Sequence, residues 1–574
     1  MPDSIRIMDA VQLKESIKNR LKKIYNYLPW SEGQLEELLS EIQGIKESVK
    51  SKTQKWNQES NILITYGDSI IKENELPLKT LHGFLHKYLT DSISHVHILP
   101  FFPYSSDDGF SIIDYRCVNS ELGSWDDVKA IGNNFQLMFD LVINHVSKQS
   151  KWFQNYCNGI DPGKDYFIEV DPDTDLSMVI RPRSLPLLSV FDTISGPKHV
   201  WTTFSSDQID LNFANPEVLL EMLRVFLFYL GKGAKLIRLD AIAFLWKEIG
   251  TTCLHLLQTH EIVKLMHDIA DFISPSIIII TETNVPYIEN LSYFGNSDEA
   301  DMVYQFSLPP LLLHALYTGN SGYLTKWADS LPEIPYGCTY FNFTASHDGI
   351  GVRPLEGLLP PQEILELTQA MKEQGGHIST KRNADGSESP YEMNITYLDA
   401  LSSTITGKDN FQVDRFLCSQ TLMMSFKGIP AFYIHSLLGT HNDHKGVTRT
   451  GMYRSINRHK WDAKILENYL ENYTEHSFIL SELLRRISIR KKELAFHPDL
   501  PQRVISFEAH FFIMTRGQQD ELLVIANLSP EPKSLNLDKS EFPFKEGFDL
   551  LDDSRTVNNL FFLKPYQVCW IKKG

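Results

Sequence analysis

The sequence predicts a (β/α)8 barrel with additions at both ends, and three observations support this fold class. Eight short apolar runs alternate with longer helical stretches, which favours a barrel over an open sheet. Several runs, such as residues 277–281, are almost continuously apolar, as strands covered on both faces must be. The length of 574 residues excludes a small single module. The eight runs are 62–66, 95–99, 137–142, 236–239, 277–281, 302–306, 340–344 and 428–434.

The order of sequence patterns along the chain predicts five regions. Residues 1–58 carry apolar side chains at helical spacing, which indicates a helical extension. The α/β barrel is expected over 59–500. It is interrupted by an inserted subdomain at 148–212 and a second long insertion at 352–410, because neither stretch fits a plain loop. Short alternating runs predict an all-β domain over 501–574.

The composition argues against several classes of partner. A formal charge of −17, from 55 Lys+Arg and 72 Asp+Glu, disfavours nucleic acid and membrane surfaces, although a local arginine can still bind phosphate. We find no signal-peptide pattern at the N-terminus, and the longest apolar runs are too short to span a bilayer. The six cysteines lie far apart without metal-ligand spacing, which favours reduced thiols. A cytoplasmic location is therefore expected.

Polar residues follow four of the predicted strands at the end of the barrel where active sites lie. Each residue alone is more typical of a helix cap or a loop tether, but three carboxylates from three strands are expected to converge there. The residues are His145 after the third run, Arg238 and Asp240 at the fourth, Glu282 at the fifth, and His347 and Asp348 after the seventh.

Two of these carboxyl groups fit the chemistry of a glycosidic bond. Such chemistry requires one ionised and one protonated carboxyl group on either side of an anomeric carbon. Arg238 precedes Asp240 by two residues, so both side chains leave the strand on one side and the guanidinium favours an ionised Asp240. We therefore predict Asp240 as the nucleophile and Glu282 as the general acid/base.

The segments DLVINH, RLDAIAFLWKE, ITETN and FTASHD resemble, in order, the four characteristic segments of glycoside hydrolase family 13, the α-amylase family. The resemblance implies Asp240 as nucleophile, Glu282 as acid/base and Asp348 as stabiliser of the transition state. It further implies that three residues contact the bound glucose: Arg238, His145 and His347.

Segments such as ITYGDSI, HILPFFPYSSDDGFSIIDY and SHDGIGVRPLEGL are similar to the sucrose phosphorylase subfamily over almost all of the chain after residue 58. Members of this subfamily are retaining α-glucoside phosphorylases, so the resemblance implies an α-glucoside and inorganic phosphate as substrates, without a metal or other cofactor. It assigns Asp68 and Arg458 to the glucose hydroxyls, Tyr115 to stacking at the glucose and Gln208 to the wall of the site. It places Arg183 near the phosphate or the acceptor.

The acceptor loop in the second insertion departs from the sucrose phosphorylase pattern Leu-Asp-x-Tyr-Gln. Here residues 388–392 read ESPYE, which keeps Tyr391 but replaces Asp by Ser389 and Gln by Glu392. The loop and the helical N-terminus look more like glucosylglycerate phosphorylases, relatives that cleave 2-O-α-glucosyl-D-glycerate.

This resemblance predicts an anionic acceptor. The glycerate carboxylate suits a basic group such as Arg181 or Arg183, and Glu392 can accept a hydrogen bond from a glycerate hydroxyl. Arg183 and Tyr391 are expected to hold phosphate through charge-assisted hydrogen bonds.

Several alternatives stay open at this point. The acceptor can be fructose, fructose 6-phosphate or glycerol, as in sucrose, sucrose 6′-phosphate and glucosylglycerol phosphorylases. An α-glucosidase or transglucosylase would use water or a sugar in place of phosphate. A non-catalytic binding barrel is a third class, which the intact Asp240, Glu282 and Asp348 disfavour. The sequence does not fix the oligomeric state, and a homodimer stays open.

Overall fold

Eight parallel strands close into a barrel in the computed structural model, which describes residues 8–49, 54–182, 185–382, 387–537, 546–557 and 560–573. Neighbours in the barrel follow chain order, and the last strand pairs with the first. The predicted fold class is therefore confirmed. The strands are β1 (Ile62–Thr65), β2 (His95–Ile98), β3 (Gln136–Leu141), β4 (Ala234–Leu239), β5 (Ile278–Thr281), β6 (Met302–Tyr304), β7 (Thr339–Asn342) and β8 (Ile429–Tyr433).

Helices follow the barrel strands and cover them on the outside. Every residue of β1, β2 and β5 to β8 is buried, which explains why continuous apolar runs mark these strands. None of the described helices has the length and hydropathy that a bilayer crossing requires. The helices after the barrel strands are Pro77–Tyr88, Trp125–Gly132, Pro216–Gly231, Leu257–Ile273, Tyr287–Leu291, Leu308–Thr318, Gly322–Ser330, Pro361–Glu373, Tyr397–Ala400, Gln412–Ser425, Ile434–Leu437, His444–Thr450, Ala463–Glu471 and Glu475–Lys492.

Two N-terminal helices, α1 (Ala10–Tyr25) and α2 (Glu32–Ser48), pack on the barrel helices. Arg20 of α1 donates to the carboxylates of Glu261 and Asp268 at 3.1 and 3.0 Å, and these are partners on the helix Leu257–Ile273. The buried face of α1 repeats at helical spacing and holds Leu13, Ile17, Leu21 and Ile24. The N-terminal extension is thus held on the barrel by the burial of apolar side chains and by the Arg20 guanidinium, which binds both carboxylates.

Smaller sheets surround the mouth of the barrel and form the C-terminal region. Six strands pair into a C-terminal sheet, and two more strands pair beside it. The boundaries proposed for the five regions stay a prediction. The six strands, in sheet order, are Gln502–Ile505, Phe511–Arg516, Leu522–Asn527, Val568–Lys573, Glu546–Asp549 and Ser554–Val557; the further pair is Lys533–Asn536 with Leu560–Leu563.

Between β3 and β4 the chain forms the helix Lys151–Cys157 and two antiparallel strand pairs, and after β7 it forms a three-stranded sheet. The first two pairs are His145–Ser147 with Gln208–Asp210 and Leu188–Thr193 with Gly196–Trp201; the sheet after β7 has the order Ile350–Gly351, Glu388–Asn394, His377–Arg382. The minor pairs are Ser403–Thr404 with Gly407–Lys408 and Ile70–Ile71 with Trp461–Asp462.

A buried lysine joins the loop after β4 to the segment between β3 and β4. The Nζ atom of Lys247 lies 2.7 Å from Asp210 Oδ2 and donates to Asn144 Oδ1 at 2.6 Å. Asp210 ends one strand of the pair that also contains His145–Ser147. Burial lowers the pKa of Lys247, while the Asp210 carboxylate raises it. One ammonium group therefore holds two separate parts of the site wall in register.

Replacing Lys247 by Met should destabilise the protein, because it leaves the Asp210 carboxylate buried without its ammonium partner. We expect the free energy of unfolding to fall by about 3–5 kcal/mol, the usual cost of breaking a buried ion pair. Chemical denaturation followed by circular dichroism measures this change. The matched control is Lys148→Met, which removes a half-exposed lysine from the same segment and should change stability by less than about 0.5 kcal/mol. Equal free energies of unfolding for Lys247→Met and Lys148→Met would contradict a stabilising role of the Lys247–Asp210 ion pair.

Candidate active site

A cavity opens at the carboxyl end of the barrel, and three acidic residues reach it from three strands. Asp240 follows β4, Glu282 follows β5 and Asp348 lies in the loop after β7. The backbone hydrogen bonds between neighbouring strands continue beyond the strand ends. Asp240 N donates to Leu141 O, and Glu282 N donates to Leu239 O, both at 3.1 Å. The parallel register therefore delivers both carboxyl groups to the same end of the barrel.

One guanidinium group faces both predicted catalytic carboxyl groups. Arg238 Nη1 donates to Asp240 Oδ1 at 2.7 Å, and Arg238 Nη2 lies 3.7 Å from Glu282 Oε2. The backbone N–H of Ala241 also donates to Glu282 Oε2 at 3.3 Å. Asp240 and Glu282 are thus neighbours across Arg238, as the prediction of a carboxyl pair requires.

Burial and mutual repulsion keep a proton on this pair of carboxyl groups. Burial raises the pKa of Asp240 to about 8 and also raises the pKa of Glu282, and the Arg238 guanidinium opposes the rise in each case. Two buried carboxyl groups so close together do not both ionise readily. The pair therefore contains one carboxylate and one protonated carboxyl group near neutral pH.

Asp140 on β3 lies inside the barrel and forms an ion pair with Arg238. His97 Nε2 lies 2.6 Å from the other oxygen of Asp140. Although burial raises it, the pKa of Asp140 is lowered to about 2 by His97 and Arg238. Asp140 is therefore an anion that fixes Arg238. Sequence reasoning missed His97, whose only signal was a polar residue inside an apolar strand.

Arg454 links Asp348 to the strand that carries the acceptor loop. Its Nη1 lies 2.5 Å from Asp348 Oδ1, and its Nε and Nη2 donate to the two oxygens of Glu392 at 3.1 and 2.9 Å. Although burial raises it, the pKa of Asp348 is held well below its usual range by Arg454 and His347. Sequence reasoning missed Arg454, which lies only four residues before the predicted site residue Arg458.

One wall of the cavity combines an aromatic ring with two polar side chains. The Phe110 ring stacks on His347 with centroids 4.8 Å apart. His145 Nε2 lies 2.9 Å from Phe110 O, and Gln208 donates to the same oxygen at 3.2 Å. Burial lowers the pKa of His347 to about 3 and also lowers the pKa of His145, so both rings are neutral. The structure thus brings Gln208, predicted for the wall of the site, together with His145 and His347, which were predicted to contact glucose.

Phe110 lines the cavity together with other aromatic side chains such as Phe306 and Phe343, whereas Tyr115 does not line it. The Tyr115 hydroxyl donates to Val142 O and His145 O at 2.8 and 3.0 Å, and its ring stacks on Trp152. Tyr115 therefore supports the wall from behind, in contrast to the stacking role expected from the sequence. The signal for Phe110 was available in the DDGF segment, but neighbouring aromatic residues cannot be ranked without the fold.

Arg458 and Asp68 both line a second cavity, and neither lines the cavity that holds the carboxyl pair. Arg458 donates from Nε to His347 O at 2.8 Å and pairs with Asp108. Asp68 pairs with Lys460. The structure therefore keeps Arg458 beside the site and separates Asp68 from the carboxyl pair, in contrast to the expected joint contact with glucose hydroxyls.

The acceptor side of the cavity is formed by the strand Glu388–Asn394. Tyr391 and Glu392 both line the cavity, and Glu392 also accepts from Gly349 N at 3.0 Å. With Arg454 and Gly349 as its partners, Glu392 positions the loop, which was not expected from the sequence. Arg183 lies outside the described residues.

This arrangement can carry out covalent transfer at an anomeric carbon. It contains two carboxyl groups that face one guanidinium and a third carboxylate that is ionised. No group of His, Cys, Asp or Glu side chains in the described parts of the chain is arranged to hold a metal ion.

Comparisons with known proteins agree with these features. Residues 81–328 match the model described as alpha amylase, catalytic domain. The chain is 44% identical to a glucosylglycerate phosphorylase of Escherichia coli (strain K12), over 98% of this chain and 100% of that protein. It is 49% identical to the glucosylglycerate phosphorylase of Spirochaeta thermophila, over 82% of this chain and 80% of that protein.

Among solved structures, the sucrose 6F-phosphate phosphorylase from Thermoanaerobacter thermosaccharolyticum is similar with a TM-score of 0.71 and 28% identity, over 82% of this chain and 94% of that one. Its similarity spans the barrel and agrees with the sequence motifs. The chain therefore belongs to the alpha-amylase family, glycoside hydrolase family 13, and within it to the sucrose phosphorylase subfamily.

Proposed function

We propose that the protein is a retaining phosphorylase that converts 2-O-α-D-glucosyl-D-glycerate and inorganic phosphate into α-D-glucose 1-phosphate and D-glycerate. The similarity to glucosylglycerate phosphorylases along the whole chain carries this proposal. The pairing of Asp240 and Glu282 across Arg238 supports its chemistry.

In the first step, an Asp240 oxygen attacks the anomeric carbon of the glucosyl group. The bond from this carbon to the glycerate oxygen breaks, and Glu282 gives its proton to that oxygen. The products are a β-glucosyl ester on Asp240 and free glycerate. Asp348 and Arg458, on the sugar side, contact the glucosyl hydroxyls as the ring flattens.

In the second step, a phosphate oxygen attacks the same carbon from the side that glycerate left. The ester bond to Asp240 breaks, and Glu282 takes the proton of the attacking phosphate. Two inversions restore the α configuration, so α-D-glucose 1-phosphate forms. A hydrolase would differ only in this step, with water as the attacking group.

Three further expectations stay predictions. They are a cytoplasmic location, the absence of a metal cofactor, and a homodimer as one oligomeric state that the sequence leaves open. The fructose-releasing alternative, sucrose phosphorylase, is the second candidate, and its acceptor loop differs at the positions of Ser389 and Glu392.

The function is tested by a phosphorolysis panel with glucosylglycerate, glucosylglycerol, sucrose and sucrose 6′-phosphate. We expect the highest kcat/KM for glucosylglycerate, measured as release of glucose 1-phosphate in the presence of phosphate. Release of free glucose at a rate independent of phosphate would identify a glucosidase. A higher kcat/KM for any other member of the panel would reject the proposed acceptor.

Asp240→Asn and Glu282→Gln should separate the two catalytic roles. Loss of the nucleophile lowers kcat by roughly 10⁴-fold or more with every donor. Loss of the acid lowers kcat on glucosylglycerate by roughly 10²–10⁴-fold. The acid variant should recover most of its rate with α-D-glucosyl fluoride, because fluoride leaves without a proton. Circular dichroism checks that both variants are folded, and equal rates of the two variants on the fluoride would contradict the assignment.

The pH profile gives the same assignment an independent readout. The first step needs a protonated Glu282, and burial raises its pKa, so the rate on glucosylglycerate should fall as pH rises through that raised value. In Glu282→Gln, the residual rate on glucosylglycerate should no longer show this alkaline fall. The wild-type protein should also lack it with α-D-glucosyl fluoride, because that donor needs no proton. An unchanged alkaline limb in that variant would assign the limb to another group.

Ser389→Asp combined with Glu392→Gln should shift acceptor preference toward fructose, because it restores the pattern of sucrose phosphorylases. We expect the ratio of kcat/KM for sucrose to that for glucosylglycerate to rise at least tenfold. We use this ratio because the loss of the contact between Arg454 and Glu392 should lower kcat/KM for both substrates together. Ser389→Asp alone is the control that leaves Arg454 and Glu392 paired. An unchanged ratio would reject the role of these two positions.

A further inference from the structure

Three arginines line the cavity, and two of them are already neutralised by carboxylates. Arg238 is bound by Asp140 and Asp240, and Arg454 is bound by Asp348 and Glu392. The third, Arg353, makes no side-chain hydrogen bond or ion pair with any residue in the described parts of the chain. A half-buried guanidinium without a partner is an unusual feature in a closed site, because it loses hydration without gaining a contact.

The backbone places Arg353 on the acceptor side. The strand Ile350–Gly351 pairs with the acceptor strand, and Val352 N donates to Tyr391 O at 3.0 Å. Arg353 then begins a short 3-10 turn, Arg353–Leu355, in which Leu355 is fully buried. Pro354 O accepts from Ser307 at 3.1 Å. The guanidinium therefore extends from a fixed turn beside Tyr391.

A second polar group without a partner lies next to this turn. The Oδ1 atom of Asn284 is buried and accepts no hydrogen bond in the described structure. Asn284 lies two residues after Glu282, and a Cβ atom at Gly351 would meet its Oδ1 at 3.1 Å. An amide can turn and present its NH₂ group to an anion. Glu282, Asn284 and Arg353 thus border the same part of the cavity.

We propose that Arg353 binds the carboxylate of the acceptor, with the Asn284 amide as a second donor, and so makes the enzyme selective for an anionic acceptor. This inference rests on the proposed function, because it names the residue that recognises the acid part of glycerate. It replaces the expectation that Arg181 serves this role, since Arg181 is exposed. A carboxylate held there would keep the adjacent glycosidic oxygen within reach of Glu282.

The test uses α-D-glucosyl fluoride as donor, so that no phosphate is present unless it is added. D-glycerate and glycerol are compared as acceptors, because they differ only in carboxylate against hydroxymethyl. In Arg353→Leu we expect kcat/KM for D-glycerate to fall about tenfold to one hundredfold, mainly through KM, as loss of charge-assisted hydrogen bonds predicts. Transfer to glycerol should change less than twofold. Arg353→Lys should recover part of the loss.

The control variant is Arg503→Leu, which removes a half-exposed arginine of the C-terminal sheet and should leave both transfers unchanged. Equal losses with glycerate and glycerol would overturn the inference, because they indicate a structural role. An unchanged rate with glycerate would also overturn it. A third arm with inorganic phosphate as acceptor completes the test, since a loss confined to phosphate would assign Arg353 to the other anion. Failure of the wild-type protein to transfer glucose to glycerate would instead reject the proposed function.

Discussion

The buried charge of Arg238 is the constraint on which the rest of the site depends. Its guanidinium contacts Asp140 and Asp240 directly and faces Glu282, so one fixed cation sets the positions and the protonation of three carboxyl groups. An isolated carboxylate at such depth would be costly, and burial alone would protonate both members of the pair. Because Arg238 lies nearer to Asp240 than to Glu282, its charge acts more strongly on Asp240. Two chemically similar side chains therefore have different electrostatic surroundings.

A second arginine performs the corresponding task on the acceptor side. Arg454 joins Asp348 to Glu392, so a carboxylate of the loop after β7 is fixed to the strand Glu388–Asn394. A single side chain therefore couples this strand to Asp348. Because Glu392 already has Arg454 as its partner, it is less available to an acceptor hydroxyl. Recognition of an anionic acceptor then falls to a cation that has no carboxylate of its own.

The remaining wall is held by Lys247, whose ammonium group joins Asn144 and Asp210 in the interior. His145 directly follows Asn144, Gln208 precedes Asp210 by two residues, and both contact the backbone of Phe110. The aromatic ring that stacks on His347 is therefore positioned from two elements at once. Buried hydrogen bonds of this kind give the cavity a defined shape before any ligand binds.

The sequence by itself determined the barrel, because strands buried on both faces need continuous apolar runs and eight of these alternate with helices. It also determined the carboxyl residues at the strand ends, since Arg238, Asp240, Glu282 and Asp348 lie within local motifs. The tertiary structure alone decided which distant residues complete them. Arg454, Lys247 and Phe110 act through contacts with residues that are distant in the chain. Tyr115 instead donates to two backbone carbonyls, and Asp68 pairs with Lys460. Local spacing fixes the direction of a side chain on its own strand, but only packing fixes what it meets.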